Sequence, residues 1–240
     1  MRAIAWGITG AGALLEESVE CIEKLLKRGV RVTAFISRAG EEVLKVYGLR
    51  DRVESTLRGP YPIGVIYESK EPSSYPSVGR VYLGVYEAVV ISPATMNTVG
   101  KIVSGIADTL VSNLAMHAIK ARVPVYVVPV DAHETRSLIP ALIDRSKCER
   151  CPTPCIAARK CPTEALREHE YYVVDIDLGK CTRCYVCVKT CPLGALKFNV
   201  ELVVRPHPYY LEIIERLKAI ERVYVLKSSV EVLKLLGVTS

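Results

Sequence analysis

Glutamine is absent from this chain, asparagine occurs three times and phenylalanine twice. So few amide side chains leave little to deamidate, a composition that a thermophilic source would favour. No apolar run is long enough to span a bilayer, so no membrane partner is expected. Basic runs are missing too. The net charge of +6 arises from Lys and Arg interleaved with Glu and Asp, a pattern that argues against nucleic acid as a partner. The stretch AIAWGITGAGALL after Arg2 looks like a secretory signal, but it lacks a small-residue cleavage site and runs straight into Glu16 and Glu17. It reads as a strand and a glycine loop, and the protein is expected to be soluble and cytoplasmic.

Cysteine, by contrast, is concentrated in one place. Eight of the nine cysteines lie between Cys148 and Cys191. Cys181, Cys184, Cys187 and Cys191, followed by Pro192, have the run of thiolates and the Cys-Pro of a bacterial ferredoxin. Cys148, Cys151, Cys155 and Cys161, followed by Pro162, form a looser set, with one extra residue before Cys155 and two before Cys161. Closely spaced thiolates on a tight turn wrap one side of a cubane, and the fourth ligand must come from elsewhere. In two-cluster ferredoxins the Cys-Pro thiolate ligates the other cluster. Two [4Fe-4S] clusters are therefore expected, one on Cys148, Cys151, Cys155 and Cys191, the other on Cys181, Cys184, Cys187 and Cys161. The repeat of CPTEAL (161–166) in CPLGAL (191–196) supports two pseudo-symmetric halves. Zinc is the alternative, though it usually takes two separated Cys-x-x-Cys pairs. Disulfides would need an oxidising compartment. Cys21, in an amphipathic stretch, reads as a small core residue.

The rest of the 240 residues, half of them hydrophobic overall, can bury a full core. Strands are expected at AIAWGIT (3–9), RVTAFIS (31–37), EAVVIS (87–92) and VPVYVVPV (123–130), with a short one at GVIYE. Helices are expected over 14–28, from EEVLKVYG onward, and across TVGKIVSGIADTLVSNLAMHAIKA. Residues 51–80 read as a long irregular connection. After the cysteines come a helix (PYYLEIIERLKAI), a strand (RVYVLKS) and a last helix (SVEVLKLLG). Such alternation implies an α/β fold, a Rossmann-like or flavodoxin-like parallel sheet with helices on both faces. An inserted two-cluster ferredoxin-like α+β domain completes it. The expected domains are 1–145, 146–203 and 204–240, the last completing the first.

In such a sheet ligands bind beyond the carboxyl ends of the strands. Thr9, Gly10, Ala11 and Gly12 can cradle a phosphate at the first helix's N-terminus, and Ser37 can add a hydroxyl. A plain strand–helix turn would look much the same. SPATMNTVGKIVSGIAD resembles the PASANT loop of the homo-oligomeric flavin-containing cysteine decarboxylase superfamily. The resemblance covers roughly residues 1–131 and implies FMN. It sets Gly10, Ala11, Gly12 and Ser37 near the phosphate, and Ser92, Pro93, Ala94, Thr95, Asn97 and Thr98 along the ribityl chain and ring. Asp108 reads as a helix cap and Asn113 as a backbone ligand. The decarboxylases' active-site His is missing before this loop, and VPVDAHETRSLIP stands where their PXMNXXMW motif should be. His133 and Glu134 there read as an exposed pair, His117 as a satisfied core histidine, and His207 as a loop residue.

An FMN domain with a two-cluster ferredoxin insert resembles the archaeal iron–sulfur flavoprotein family of dihydromethanopterin reductases (acceptor). That resemblance implies a trimer-based homo-oligomer taking electrons from ferredoxin or a similar donor through both clusters to FMN and a dihydropterin substrate. Positive charge around the cysteines would attract an acidic donor. No residue reads the pterin, and Tyr61, Tyr67, Tyr75, Tyr82 and Tyr86 fit a core or subunit contact better. Two other readings stand beside it: a non-catalytic electron carrier, and a flavin-dependent decarboxylase or prenyltransferase with a structural metal module.

Overall fold

The structure, a computed structural model, describes residues 2–151 and 154–237. It divides into two compact units, Met1–Ser137 with Val203–Ser240, and Leu138–Leu202. In chain order, β1 (Ala3–Ile8) leads to α1 (Leu15–Lys27), β2 (Arg31–Ile36) and α2 (Arg38–Val46). Next come α3 (Arg50–Thr56), β3 (Gly64–Tyr67), two short 3₁₀ turns and β4 (Ala88–Ala94). α4 (Met96–Val103), α5 (Leu110–Lys120) and β5 (Val125–Pro129) close the first stretch, and β6 (Thr135–Ile143) carries the chain onward. The second unit holds α6 (Arg145–Cys148), α7 (Ile156–Arg159), β7 (Leu166–His169), β8 (Val173–Ile176) and α8 (Val186–Thr190). The chain returns through β9 (Leu196–Val204) to α9 (Pro208–Lys218), β10 (Val223–Val225) and α10 (Ser229–Leu235).

In the first unit six strands form one sheet in the order β3, β2, β1, β4, β5, β10, with every pairing parallel. That is the Rossmann order, whose direction reverses between β1 and β4. All six residues of β1 are buried, as a strand covered on both faces requires. Its odd and even residues serve opposite faces. Ala3 and Ala5 join Phe35, Val89 and Ile91 beneath α4, α5 and α9. Ile4, Trp6 and Ile8 join Val32, Ala34 and Val90 beneath α1, α2, α3 and α10. Each large side chain so buried contributes about 1.5–3 kcal/mol. β10, which follows the second unit in sequence, completes the first unit's sheet.

Several expectations shift at element boundaries. The helical region after β4 is two helices, the second starting one residue later than expected. Gly105 takes a left-handed φ of +71, and Thr109 opens α5 with a reciprocal capping box to Ser112. Asp108 therefore does not cap. It pairs with Lys101 at 2.7 Å, while Asn113 Nδ2 donates to the Ala107 carbonyl at 3.1 Å. α2 starts at Arg38, because the Ser37 hydroxyl accepts from the Gly40 amide at 3.0 Å. The 51–80 connection is more regular than its Pro, Gly and Ser content implies, with Tyr67, Tyr75 and Tyr86 buried and Tyr61 and Tyr82 exposed.

The second unit is small and its core modest. Leu166, Val174, Leu196 and two alanines pack with the buried Cys148 and Cys187. β7 and β8 form an antiparallel hairpin, and β6 pairs with β9. Equivalent positions of the cysteine repeat, Glu164 and Gly194, both take left-handed backbone, at φ +53 and +56. Only glycine adopts that region without strain. Glu164→Gly is predicted to stabilise the protein by about 1 kcal/mol, and Gly194→Ala to destabilise it by about 1–2 kcal/mol. Thermal melts of the two variants check this, and a lower midpoint for Glu164→Gly would sink the account.

Candidate functional site

Two constellations arise, one in each unit. In the first, the loops after β1 and β4 meet at the point where the strand order reverses. Trp6 Nε1 donates to the Ser92 carbonyl at 2.8 Å, inside the core. The Thr9 hydroxyl donates to the Pro93 carbonyl at 2.7 Å and accepts from the Thr95 amide at 2.9 Å. Ser92 is wholly buried. Its hydroxyl closes a ring with Ser18 (2.8 Å) and Ser229 (2.8 Å), which are 3.0 Å apart from each other. The side chains of Thr9 and Ser92 thus hold the loop in place from behind. Pro93 and Ala94 are buried beside them, Thr98 nearly so, and Thr95 partly. Asn97 is exposed, and its side chain has no partner among the described residues. The Thr95 hydroxyl caps α4 by accepting from the Thr98 amide at 3.4 Å.

The glycines of the first loop serve close packing. A Cβ on Gly10 would meet that of Ala39 at 2.6 Å, and one on Gly12 would lie 2.0 Å from the Tyr47 hydroxyl oxygen. Both glycines therefore let the β1 loop rest on α2, whose N-terminal Ser37 amide donates to the Ile8 carbonyl at 3.0 Å. α1 opens at Leu14 with no side-chain cap; the Leu15 amide donates to the Gly12 carbonyl at 3.4 Å, and the amides of Glu16 and Glu17 are the ones open to an anion. Glu16 and Glu17 in that first turn would oppose one. Glu17, however, accepts from the Ser229 amide at 2.6 Å, and Glu16 faces Arg52 at 3.6 Å.

Asp131 does not stand out in the sequence, where it looks like any loop acid after a strand. It lies just past β5, and burial raises its carboxyl pKa while a hydrogen bond from the Met96 amide partly opposes the rise. His133 and Glu134, which the sequence does single out, are exposed, and Glu134 pairs with Arg205 at 3.2 Å. His117 differs from expectation. Its Nδ1 is buried without a partner, its ring meets Tyr82 edge-on at 5.2 Å, and burial followed by Lys120 lowers its pKa. His207 is the N-cap of α9, accepting from the Tyr209 amide at 3.2 Å. Cys21 is fully buried, its thiol pushed up to about 12, which leaves it an inert core residue.

The second unit brings the eight remaining thiols together in two sets. Cys148, Cys151, Cys155 and Cys191 line one apolar cavity of about 40 Å³. Cys161, Cys181, Cys184 and Cys187 line another of about 10 Å³. Each Cys-Pro thiol therefore sits with the other half's three cysteines. Electrostatics groups them alike. Burial and then Cys191, Cys155 and Cys151 act on Cys148, whose pKa is raised. Burial raises Cys187 too, with Cys181, Cys161 and Cys184 adding to the rise. Burial also acts on Cys161, but the amides of Leu166, Thr163 and Ala165 outweigh it and leave that thiol below its ordinary pKa. Among the described residues no three His, Cys, Asp or Glu side chains are arranged to hold a single metal ion. Each set of sulfurs encloses a space rather than a point, a donor set that fits a polynuclear iron–sulfur group. Pro152 and Thr153, within the longer Cys151–Cys155 spacing, lie outside the described residues.

Residues 1–138 match the family described as Flavoprotein. The chain belongs to the flavoprotein family. A 4Fe-4S binding domain matches residues 174–197, the stretch that contains the second cysteine set. Across 98% of its length this flavoprotein is 42% identical to the dihydromethanopterin reductase (acceptor) of Methanosarcina mazei, of which it covers 98%. It is 39% identical to the protein of that name in Methanocaldococcus jannaschii, over 98% of this chain and 96% of the relative. Among solved structures it resembles DmrB of Burkholderia xenovorans in complex with FMN, described as a cubic protein cage for redox transfer. The TM-score is 0.63 at 26% identity, covering 98% of this chain and 93% of that one. Among the described residues no helix is long and apolar enough to cross a membrane.

The raised Asp131 carboxyl has a consequence for stability. A raised folded-state value means that folding favours the protonated acid, so this contribution is complete below the ordinary value of 3.8 and is lost as pH rises through the raised one. Asp131→Asn is predicted to be more stable than the parent at pH 7, with the gap closing as pH falls toward 4. Urea midpoints across that range measure it, and a gap independent of pH would contradict it.

Proposed function

We propose that this flavoprotein is an FMN and iron–sulfur oxidoreductase of the dihydromethanopterin reductase (acceptor) type, working as a homo-oligomer in the cytoplasm. Electrons come from ferredoxin or a similar donor and end in a dihydropterin. The observation that carries the reading is the sorting of eight thiols into two four-cysteine cavities, in a chain that aligns end to end with two relatives of that name. Two [4Fe-4S] clusters are assigned, on Cys148, Cys151, Cys155 and Cys191 and on Cys161, Cys181, Cys184 and Cys187. The thiols lose their protons on binding iron, which the buried Cys148 and Cys187 resist most.

The FMN is assigned to the β1–β4 crossover. Gly10, Ala11 and Gly12 offer main-chain amides and Ser37 a hydroxyl toward its phosphate. Pro93, Ala94 and Thr95 present small side chains that permit close approach to a flat ring, and Asn97 and Thr98 supply polar groups at its edge. Thr9 and Ser92 fix the path of that loop. When bound there, FMN couples one-electron delivery to the two-electron reduction of a C=N bond. Overall, the dihydropterin gains two electrons and two protons, forming one C–H and one N–H bond. The cage-like assembly of the Burkholderia neighbour supports a homo-oligomer, for which trimer-based symmetry is the reading adopted.

The test is anaerobic stopped-flow on the fully reduced, cofactor-loaded protein mixed with dihydromethanopterin. Rapid return of oxidised-flavin absorbance with formation of the tetrahydro product is expected. A flavin that stays reduced with the pterin, yet loses its electrons to an oxidised ferredoxin, would make the protein an electron carrier instead.

A further inference from the structure

A groove of about 480 Å³ runs along the first unit between α4 and α9. Its lining includes Met96 and Asn97, the start of α4 and part of the loop assigned above to the flavin. The α9 wall presents Tyr209, Tyr210 and Arg216. Its size suits a small organic molecule rather than an ion.

The lining has a definite chemistry. Two cations, Lys101 and Arg216, face the groove and no carboxylate lines it. Lys101 is already paired with Asp108 at 2.7 Å. Arg216, exposed, makes no ion pair among the described residues. Tyr209 is 60% and Tyr210 38% exposed, and their rings are tilted against each other at 5.8 Å. Exposed tyrosines beside an uncommitted guanidinium suit a ligand with a flat aryl group followed by an acid.

We propose that this groove seats the side arm of the substrate, an aryl-bearing and anionic arm attached to the dihydropterin whose ring lies at Asn97. The inference rests on the dihydropterin reading above and adds a binding site for a part of the substrate that does not react. Tyr209 and Tyr210 stack on the aryl portion, and Arg216 receives the acid end. The arm gives affinity and leaves the chemistry at the ring unchanged, since it contacts nothing that reacts.

Calorimetric titration of the oxidised, cofactor-loaded protein tests this with two probes. One is dihydromethanopterin, which carries a long acidic arm, and the other is 6-methyl-7,8-dihydropterin, which carries none. The parent is expected to bind the first at least about tenfold more tightly, the effect of one charge-assisted contact. Arg216→Ala and Tyr210→Ala should each erase most of that advantage while leaving the second probe's affinity unchanged. Lys218→Ala, on the same helix outside the groove, should alter neither. Equal affinity for the two probes, or an advantage that survives Arg216→Ala, overturns the proposal and leaves the groove to another occupant such as a second copy of the chain. Turnover of the parent, measured alongside, separates the two ideas. Arm-dependent binding without turnover would sink the reductase reading alone, and turnover without arm dependence would sink the groove alone.

Discussion

The Thr9 hydroxyl is the contact on which the loop after β4 depends. It donates to the Pro93 carbonyl and accepts from the Thr95 amide, joining the end of β1 to the exit of β4 across the point where the sheet reverses its winding. A parallel sheet buried on both faces leaves its strand ends as the places where loops can diverge. A buried loop amide or carbonyl without a partner would cost about 1–3 kcal/mol. Thr9 and Trp6 supply such partners from the protein itself, and Ser18 and Ser229 satisfy the buried Ser92 hydroxyl. The loop can then turn Asn97 outward without a ligand to hold its shape.

The second unit obeys a different constraint. Its core of a few aliphatic side chains includes two cysteines, and domains so small rarely reach stability on apolar burial alone. The cavities lined by four thiols each lie where more apolar side chains would otherwise be needed. In the reading adopted here, inorganic clusters take that place, so cofactor binding and folding of this unit are one event. Crossing the Cys-Pro thiols between the halves also ties the two repeats together, because in that reading neither cluster would be complete with one half alone.

The grouping of the cysteines is the most legible feature of the chain, since their spacing is set by local turns and sequence spacing survives folding. The buried strands were legible for a similar reason, with β1 and β4 reading as unbroken apolar runs. What sequence hid was partnership over long separations. Ser92 fits a flavin loop by its motif, but its hydroxyl meets Ser229, 137 positions away, and no local pattern announces that. The start of α5 reads from sequence as capped by Asp108, whereas Thr109, one residue later, is the N-cap, because two neighbouring polar residues offer the same local signal. Asp131 was missed because its burial depends on how α4 packs. The α4–α9 groove joins residues on opposite sides of the cysteine segment, so neither wall reads as a site by itself.

In the proposed route electrons reach the flavin only by way of the thiol-bound clusters. Cys184→Ser tests it most directly, with flavin reduction followed optically after mixing with reduced ferredoxin. The account predicts that the variant keeps its FMN and is still reduced by a small chemical reductant, but loses reduction by ferredoxin. Ferredoxin-driven reduction at the parent's rate would contradict it and leave the second unit a structural module.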